Sequence, residues 1–176
     1  MKAGFIMQMK KVIIFASTAM ILIAATIITI RYKMPIYRLS STAPYEKFYG
    51  SETIDELITS GTQKDRDAVT PVLEQAENAF SAIVPTNEAR TERFGKLARY
   101  AWSLEDYPEI VSEKHKLKLY TAHCEGNTGY VWICYSQMAY NDTGKALSGS
   151  YDILSRWEIH KDVHGKWHVT QIREAP

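Results

Sequence analysis

The sequence predicts an α+β chain, with an N-terminal transmembrane helix followed by helices packed on a curved antiparallel β-sheet of four strands or more. Three observations carry that reading. Residues 12–30 (VIIFASTAMILIAATIITI) contain no charged side chain. Between residues 51 and 107 apolar side chains recur at steps of three and four. Beyond Pro108 the period falls to two, and runs rich in β-branched and aromatic residues alternate with turn-forming clusters.

At about 1.5 Å per helical residue, the uncharged run of nineteen residues is about 28 Å long, close to the thickness of a bilayer's hydrocarbon core. Lys2, Lys10 and Lys11 ahead of it fit a signal-anchor and also the basic start of a cleaved signal peptide. Its length and its exit through Thr29-Ile30-Arg31-Tyr32-Lys33 favour the uncleaved anchor, and no cysteine follows to support lipoprotein processing. Charges on the two flanks nearly balance, so orientation rests on the short N-terminal tail and the signal-anchor layout, which put the folded part outside the cytoplasm. The expected organisation is a short cytoplasmic tail over residues 1–11, a single-pass membrane anchor over 12–30 and a juxtamembrane tether over 31–50, marked by Pro35, Pro44 and Gly50. One soluble domain then covers 51–176, with helices over 51–107 and a β-meander over 113–175. From residue 35 onward 16 Lys and Arg stand against 20 Asp and Glu, a net charge of −4, so no nucleic-acid partner is expected.

Within the domain, Ser51 caps a first helix whose Ile54, Leu57 and Ile58 share a face. Thr62 or Asp65 caps a second, with Val69, Val72, Leu73, Ala76, Phe80 and Ile83 as its buried stripe up to Pro85. Thr86 caps a third, with Phe94, Leu97, Ala98, Ala101 and Trp102 as its stripe up to Pro108. Strands follow over residues 116–124, 130–140, 150–161 and 166–173, separated by turns around Asn127, Asn141-Asp142 and His164-Gly165. In the second strand Tyr130, Trp132, Cys134, Ser136, Met138 and Tyr140 alternate with Val131, Ile133, Tyr135, Gln137 and Ala139. Both faces are substantially apolar, and one helix layer covers one face only, so the other meets a partner, a second copy or a ligand.

Amphipathic helices followed by a long-stranded meander resemble the cone-shaped superfamily of nuclear transport factor two, the SnoaL-type cyclases and ketosteroid isomerase. The sharpest piece is the last hairpin, residues 156–172 (RWEIHKDVHGKWHVTQI), where a strand, a turn with Gly165 and the Lys166-Trp167 pair lead into the final strand. The resemblance implies a curved sheet wrapped around a helix layer. It also implies a short strand early among the helices, which is not visible in this sequence unless Ile110-Val111 or the Tyr37 region supplies it. A membrane anchor ahead of such a domain is similar in layout to assembly proteins of type IV secretion and conjugation systems.

The leading functional expectation is a membrane-anchored, non-catalytic interaction domain. It self-associates or docks another envelope protein through Tyr120, Tyr130, Trp132, Met138 and Tyr140. The rival is a ligand or isomerase-like pocket built from Tyr100, Trp102, Trp157 and Trp167, for which Tyr100, Tyr107, Tyr135, Asp152 and Glu158 are the acid and base candidates. No spacing among them matches that family's catalytic pattern, and no catalytic residue is assigned. His160, His164 and His168 stand four apart, a spacing that converges on a helix but not on a hairpin, so no metal is expected. Cys124 and Cys134 flank the first hairpin at even separation, which puts both on one face if the strands pair without a bulge; a disulfide and two buried thiols both remain open. Asn141-Asp142-Thr143 fits an N-glycosylation pattern and also ordinary turn chemistry. Without a Gly-rich phosphate loop, nucleophile elbow or Walker lysine, no cofactor is expected.

Overall fold

A sheet of four long antiparallel strands in the order β3-β4-β5-β6 organises the domain: β3 Ser112–Glu125, β4 Thr128–Tyr140, β5 Ala146–Lys161 and β6 Trp167–Glu174. The computed structural model describes residues 43–59 and 61–174. The tail, the anchor over 12–30 and most of the tether lie outside the described residues, and none of the described helices is long and apolar enough to cross a membrane. Ahead of the sheet come α1 Ala43–Tyr49, α2 Ser51–Thr59, α3 Gln63–Phe80, β1 Ile83–Val84, α4 Asn87–Phe94, a 3₁₀ turn Gly95–Tyr100 and β2 Trp102–Ser103.

The last part of the expected tether is therefore helical. Tyr45 and Tyr49 explain why, since both sit on one face of α1 and pack on the sheet cluster of Leu57, Trp132 and Leu154. Thr62 and Asp65 act together at the start of α3: Asp65 N donates to Thr62 Oγ1 at 3.2 Å and Thr62 N to Asp65 Oδ2 at 3.3 Å, a reciprocal capping box. The other oxygen of Asp65 accepts from Cys124 N at 3.0 Å, so the cap also fixes α3 to β3. Just before it, a Cβ at Gly61 would fall 2.1 Å from Oγ1 of the fully buried Thr121, so only glycine lets the chain pass this close.

Two helical expectations end early. α3 stops at Phe80, and Ile83 belongs to β1, which pairs in parallel with β2 (Ile83↔Trp102, Val84↔Ser103). This two-residue pair lies where the sequence showed no early strand. Neither Ile110 nor Val111 is part of it. The third helix breaks at Gly95, which takes φ 56°, a conformation that L side chains avoid. Leu97, Ala98 and Tyr100 then reach the core from the 3₁₀ turn rather than from a continuous helix.

The sheet carries four register shifts, at Leu119/Thr121, Tyr135/Gln137, Ala139/Tyr140 and Glu158/Ile159. Each bulge bends the ladder and increases its twist. On the helix-covered face Val131, Ile133, Tyr135, Trp157 and Ile159 pack with Val69, Val72, Ala76, Phe80 and Tyr100 into the main core. At the far end of that face Ile110 and Trp102 close over Ala139.

His115 links α3 to β3. It stacks on Phe80 and bonds Glu77 through Nε2 (2.7 Å) and Glu113 through Nδ1 (3.0 Å). Burial alone lowers its pKa, but the two carboxylates outweigh burial and hold it above the ordinary imidazole value. A raised folded pKa means that this stabilisation is full below the unfolded value and is lost as the pH rises through the folded one. The stability difference between the native chain and His115→Gln, read from urea midpoints, is therefore expected to be largest near about pH 5.5 and to shrink toward about pH 9.

Candidate functional site, an open groove on the sheet

The second face of the sheet is covered over one half and open over the other. α1 and α2 lie on the covered half, where Leu57, Trp132 and Leu154 form a buried cluster. Trp132 is 1% exposed; its Nε1 donates to Glu56 Oε2 at 2.8 Å and its indole meets Tyr49 edge-on at 5.1 Å. Tyr49 Oη donates to Leu154 O at 2.6 Å. Arg156 stacks over Tyr130 at 4.2 Å and donates to Glu56 and Glu158, and Arg173 adds a second donor to Glu158. Burial disfavours both charges, but the opposite partners outweigh it, raising the pKa of Arg156 and lowering that of Glu158.

The expected interaction face therefore divides. Trp132 is core beneath α2, while Tyr120 and Tyr130 pack around that cluster. Met138 and Tyr140 remain on the open half. There the register sets Lys118 opposite Cys134, Lys116 opposite Ser136 and Lys114 opposite Met138, so three lysines at alternate positions of β3 share one face. Two adjoining hollows follow this row. One, of about 180 Å³, is lined by Lys114, Lys116, Met138, Tyr140 and Tyr151 among others. The second, of about 240 Å³, is lined by Lys116, Lys118, Cys134, Asp152 and, at its end, Tyr45 of α1.

Two details of β5 shape this groove. Gly149 lies beside Met138, and a Cβ there would fall 2.5 Å from Gln137 O and 2.6 Å from Met138 Sδ, so the missing side chain gives the thioether its place. At the Tyr135/Gln137 shift, Tyr151 and Asp152 together oppose the single Ser136. Asp152 takes φ 50°, alone among the described non-glycine residues in being positive. Its N–H donates to Ser136 Oγ at 2.9 Å and its carboxylate accepts from that hydroxyl at 3.2 Å, pinning the bulge. Tyr151 is left 71% exposed beside the lysine row.

The residues of the rival pocket go elsewhere. Tyr100, Trp157 and Trp167 belong to the main core, while Trp102 lies in the separate cluster with Ile110 and Ala139. Phe80 stacks on Tyr100 at 4.4 Å, and Tyr135 meets Tyr100 edge-on at 5.1 Å, so aromatic rings occupy the space between them. Trp157 Nε1 donates to Tyr100 Oη and Ser155 Oγ, both at 2.9 Å; Tyr100 Oη donates to Glu174 Oε1 at 2.7 Å, and Arg99 pairs with the other oxygen at 2.8 Å. Burial and then the charge of Glu174 hold the Tyr100 and Tyr135 phenols well above their ordinary pKa. These groups satisfy one another. Of the remaining acid and base candidates, Tyr107 is on the surface with its hydroxyl 3.4 Å from Ser148 Oγ, and Glu158 is engaged by the two arginines.

The cysteines illustrate what a bulge does. Before Tyr120 the pairing sets Cys134 opposite Lys118; after it, Cys124 lies opposite Gly129, and the extra residue inverts the parity. Cys124 thus faces the main core and Cys134 the groove, both as free thiols. The same-face condition for a disulfide fails. Burial and then Asp65 push Cys124 up to about 11; burial and then Asp152 raise Cys134. Both thiols are expected to be alkylated in the unfolded chain without prior reduction, and reductant to leave the melting temperature unchanged, as intact mass and thermal scans would show.

His160 and His168 are cross-strand partners in the last hairpin, and His168 Nε2 lies 2.8 Å from Asp162 Oδ2. Among the described residues no three metal-type side chains converge. Asn141 Oδ1 accepts from Thr143 N, Thr143 Oγ1 and Lys145 N, so it closes its own turn. Sequence reasoning missed the lysine row and Tyr151. The signal for the row was the Lys-x-Lys-x-Lys spacing, but a strand begun at residue 116 leaves out Lys114, and the face it joins depends on the register with β4.

No family model matches the chain, and no curated protein matches it. Among solved structures it is similar to the intermembrane space region of the chloroplast protein ARC6, with a TM-score of 0.42 and 16% sequence identity over 64% of this chain and 96% of that one. A likeness that distant decides neither family nor activity.

Proposed function

We propose that this chain is a membrane-tethered, non-catalytic docking domain, held at the cell membrane by residues 12–30 with residues 43–174 on the extracytoplasmic side, and that it engages a protein partner of an envelope assembly through the groove on its open half-sheet. The observation that carries this reading is the unequal covering of the sheet. One face is filled by α3 and the 3₁₀ turn; the other is closed by α1 and α2 only as far as Tyr45, leaving Met138, Tyr140, Tyr151 and three lysines beside an open hollow. Aromatic and Met side chains framed by cations are the composition that protein interfaces favour. The rival pocket loses support because Tyr100 is bonded to Glu174 in a packed aromatic interior, while its carboxylate candidates are held elsewhere, Asp152 by Ser136 and Glu158 by two arginines. Membership of the cone superfamily belongs to the same proposal, supported by helices preceding a bulged four-stranded meander.

Two measurements test it. After carbonate washing the full-length chain should stay with membranes; recovery in the supernatant with its N-terminus intact rejects the anchor. A photoreactive residue at Met138, in living cells, should give a discrete adduct with an identified protein that Lys116→Glu abolishes, while one at Glu74, on the exposed side of α3, should not. Equal labelling from both positions rejects the groove as the docking surface.

A further inference from the structure

Resting on that reading, we infer that the occupant of the groove is a second copy of this chain, which presents the segment from Leu104 to Val111. That segment, Leu-Glu-Asp-Tyr-Pro-Glu-Ile-Val, is chemically the groove's complement. It holds Glu105, Asp106 and Glu109, all exposed, and three of the exposed large apolar side chains, Leu104 (38%), Tyr107 (37%) and Val111 (59%). The groove opposes three lysines and two tyrosines to them. Its one carboxylate, Asp152, is held by Ser136, and among the described residues no carboxylate lies within ion-pair distance of Lys114 or Lys116. A domain with a net charge of −4 has thus gathered a row of lysines on one face, with Lys114 and Lys116 outside ion-pair distance of any described carboxylate, and an acidic, partly apolar loop on another.

The loop is built rather than loose. Glu105 accepts from Asn87 N at 2.9 Å, Asp106 accepts from Asn87 Nδ2 at 2.8 Å and pairs with Arg90 at 3.5 Å, and Ile110 is buried against Ala139. Among the described residues Glu109 makes no such bond, so its charge is available to a partner. A preformed loop docks at lower entropic cost than a disordered one.

Placement supplies the geometry of assembly. Loop and groove lie at the same end of the sheet on opposite faces: Val111 N donates to Tyr140 O, Tyr107 reaches Ser148, and Met138, Tyr140 and Gly149 belong to the groove end. Patches on opposite faces meet when copies are stacked by translation along the sheet normal, so the contact is heterologous and repeats into an open row. Every copy in such a row presents Ala43, where the described residues begin, on the same side, as chains sharing one membrane require.

Reciprocal charge reversal in the full-length chain in detergent, followed by sedimentation, tests this directly. The native chain should associate with rising concentration. Lys116→Glu alone and Glu109→Lys alone should each weaken association at least tenfold, because each then meets its own like charge. An equimolar mixture of the two should recover it, since each acidic loop now finds a lysine groove and each basic loop an acidic one. Both positions are exposed, and unchanged urea midpoints confirm that the variants fold. A native chain that stays monomeric, association indifferent to both variants, or a mixture that fails to recover overturns the inference. If the chain is monomeric while Met138 still labels a different protein in cells, the docking reading stands and only this partner is wrong. If Met138 labels nothing, both fall.

Discussion

Trp157→Ala is expected to cost the domain a large share of its stability. Trp157 is 0% exposed at the centre of the main core, and removing so large a buried side chain costs about 3–5 kcal/mol against a typical total of about 5–15 kcal/mol. The indole also donates to Tyr100 Oη and Ser155 Oγ, both of which lose that donor in the variant. Urea unfolding should show a midpoint lowered in proportion, with loss of near-ultraviolet dichroism from the stacked rings of Phe80 and Tyr100. Trp157→Phe keeps most of the volume and isolates the polar part, at about 1–3 kcal/mol. A midpoint within experimental error of the native one for Trp157→Ala would contradict the packing described for this face.

Trp132→Ala should cost a similar about 3–5 kcal/mol in its own cluster, yet the consequence differs because of where the residue lies. Of the described helices only α1 and α2 pack on that cluster, through Leu57, Tyr49, and the bonds of Glu56 to Trp132 and Arg156. Loss of the indole leaves Glu56 with Arg156 alone, while α3 keeps its core with the other face. Hydrogen exchange should therefore lose protection in Ala43–Tyr49 and Ser51–Thr59 and retain it in Gln63–Phe80 and β4. Uniform loss across the chain would mean that the two faces fold as one unit. The same variant should widen the groove, because Tyr45 then no longer closes its end.

These outcomes show which parts of the molecule were legible in the sequence. The α+β class, the capping pair at Thr62 and Asp65, and the four strands follow from period and turn chemistry, which are local properties. What was not legible depends on single-residue insertions. The bulge at Tyr120 moved Cys124 to the face opposite Cys134, and nothing in the hydrophobic alternation marks it. Gly95 ended a helix whose apolar stripe continued regardless. The burial of Trp132 required α1, which Pro44 and Gly50 had disguised as tether, and so the aromatic face was read as wholly open. The groove is what remains of that face after α1 and α2 take their share.

Because Tyr151 and Asp152 together occupy the space across from Ser136, β5 carries one residue more here than the strand it pairs with. Tyr151 points to solvent there, while Asp152 is constrained by its positive φ and its bonds to Ser136. Deleting one of the two would leave a one-to-one pairing with Ser136, which keeps Trp157 and Ile159 in the core but removes the local bend that presents Tyr151 beside the lysine row. Homologous chains that keep the groove should keep both positions, with Asp, Asn or Gly at 152, where the backbone takes a positive φ.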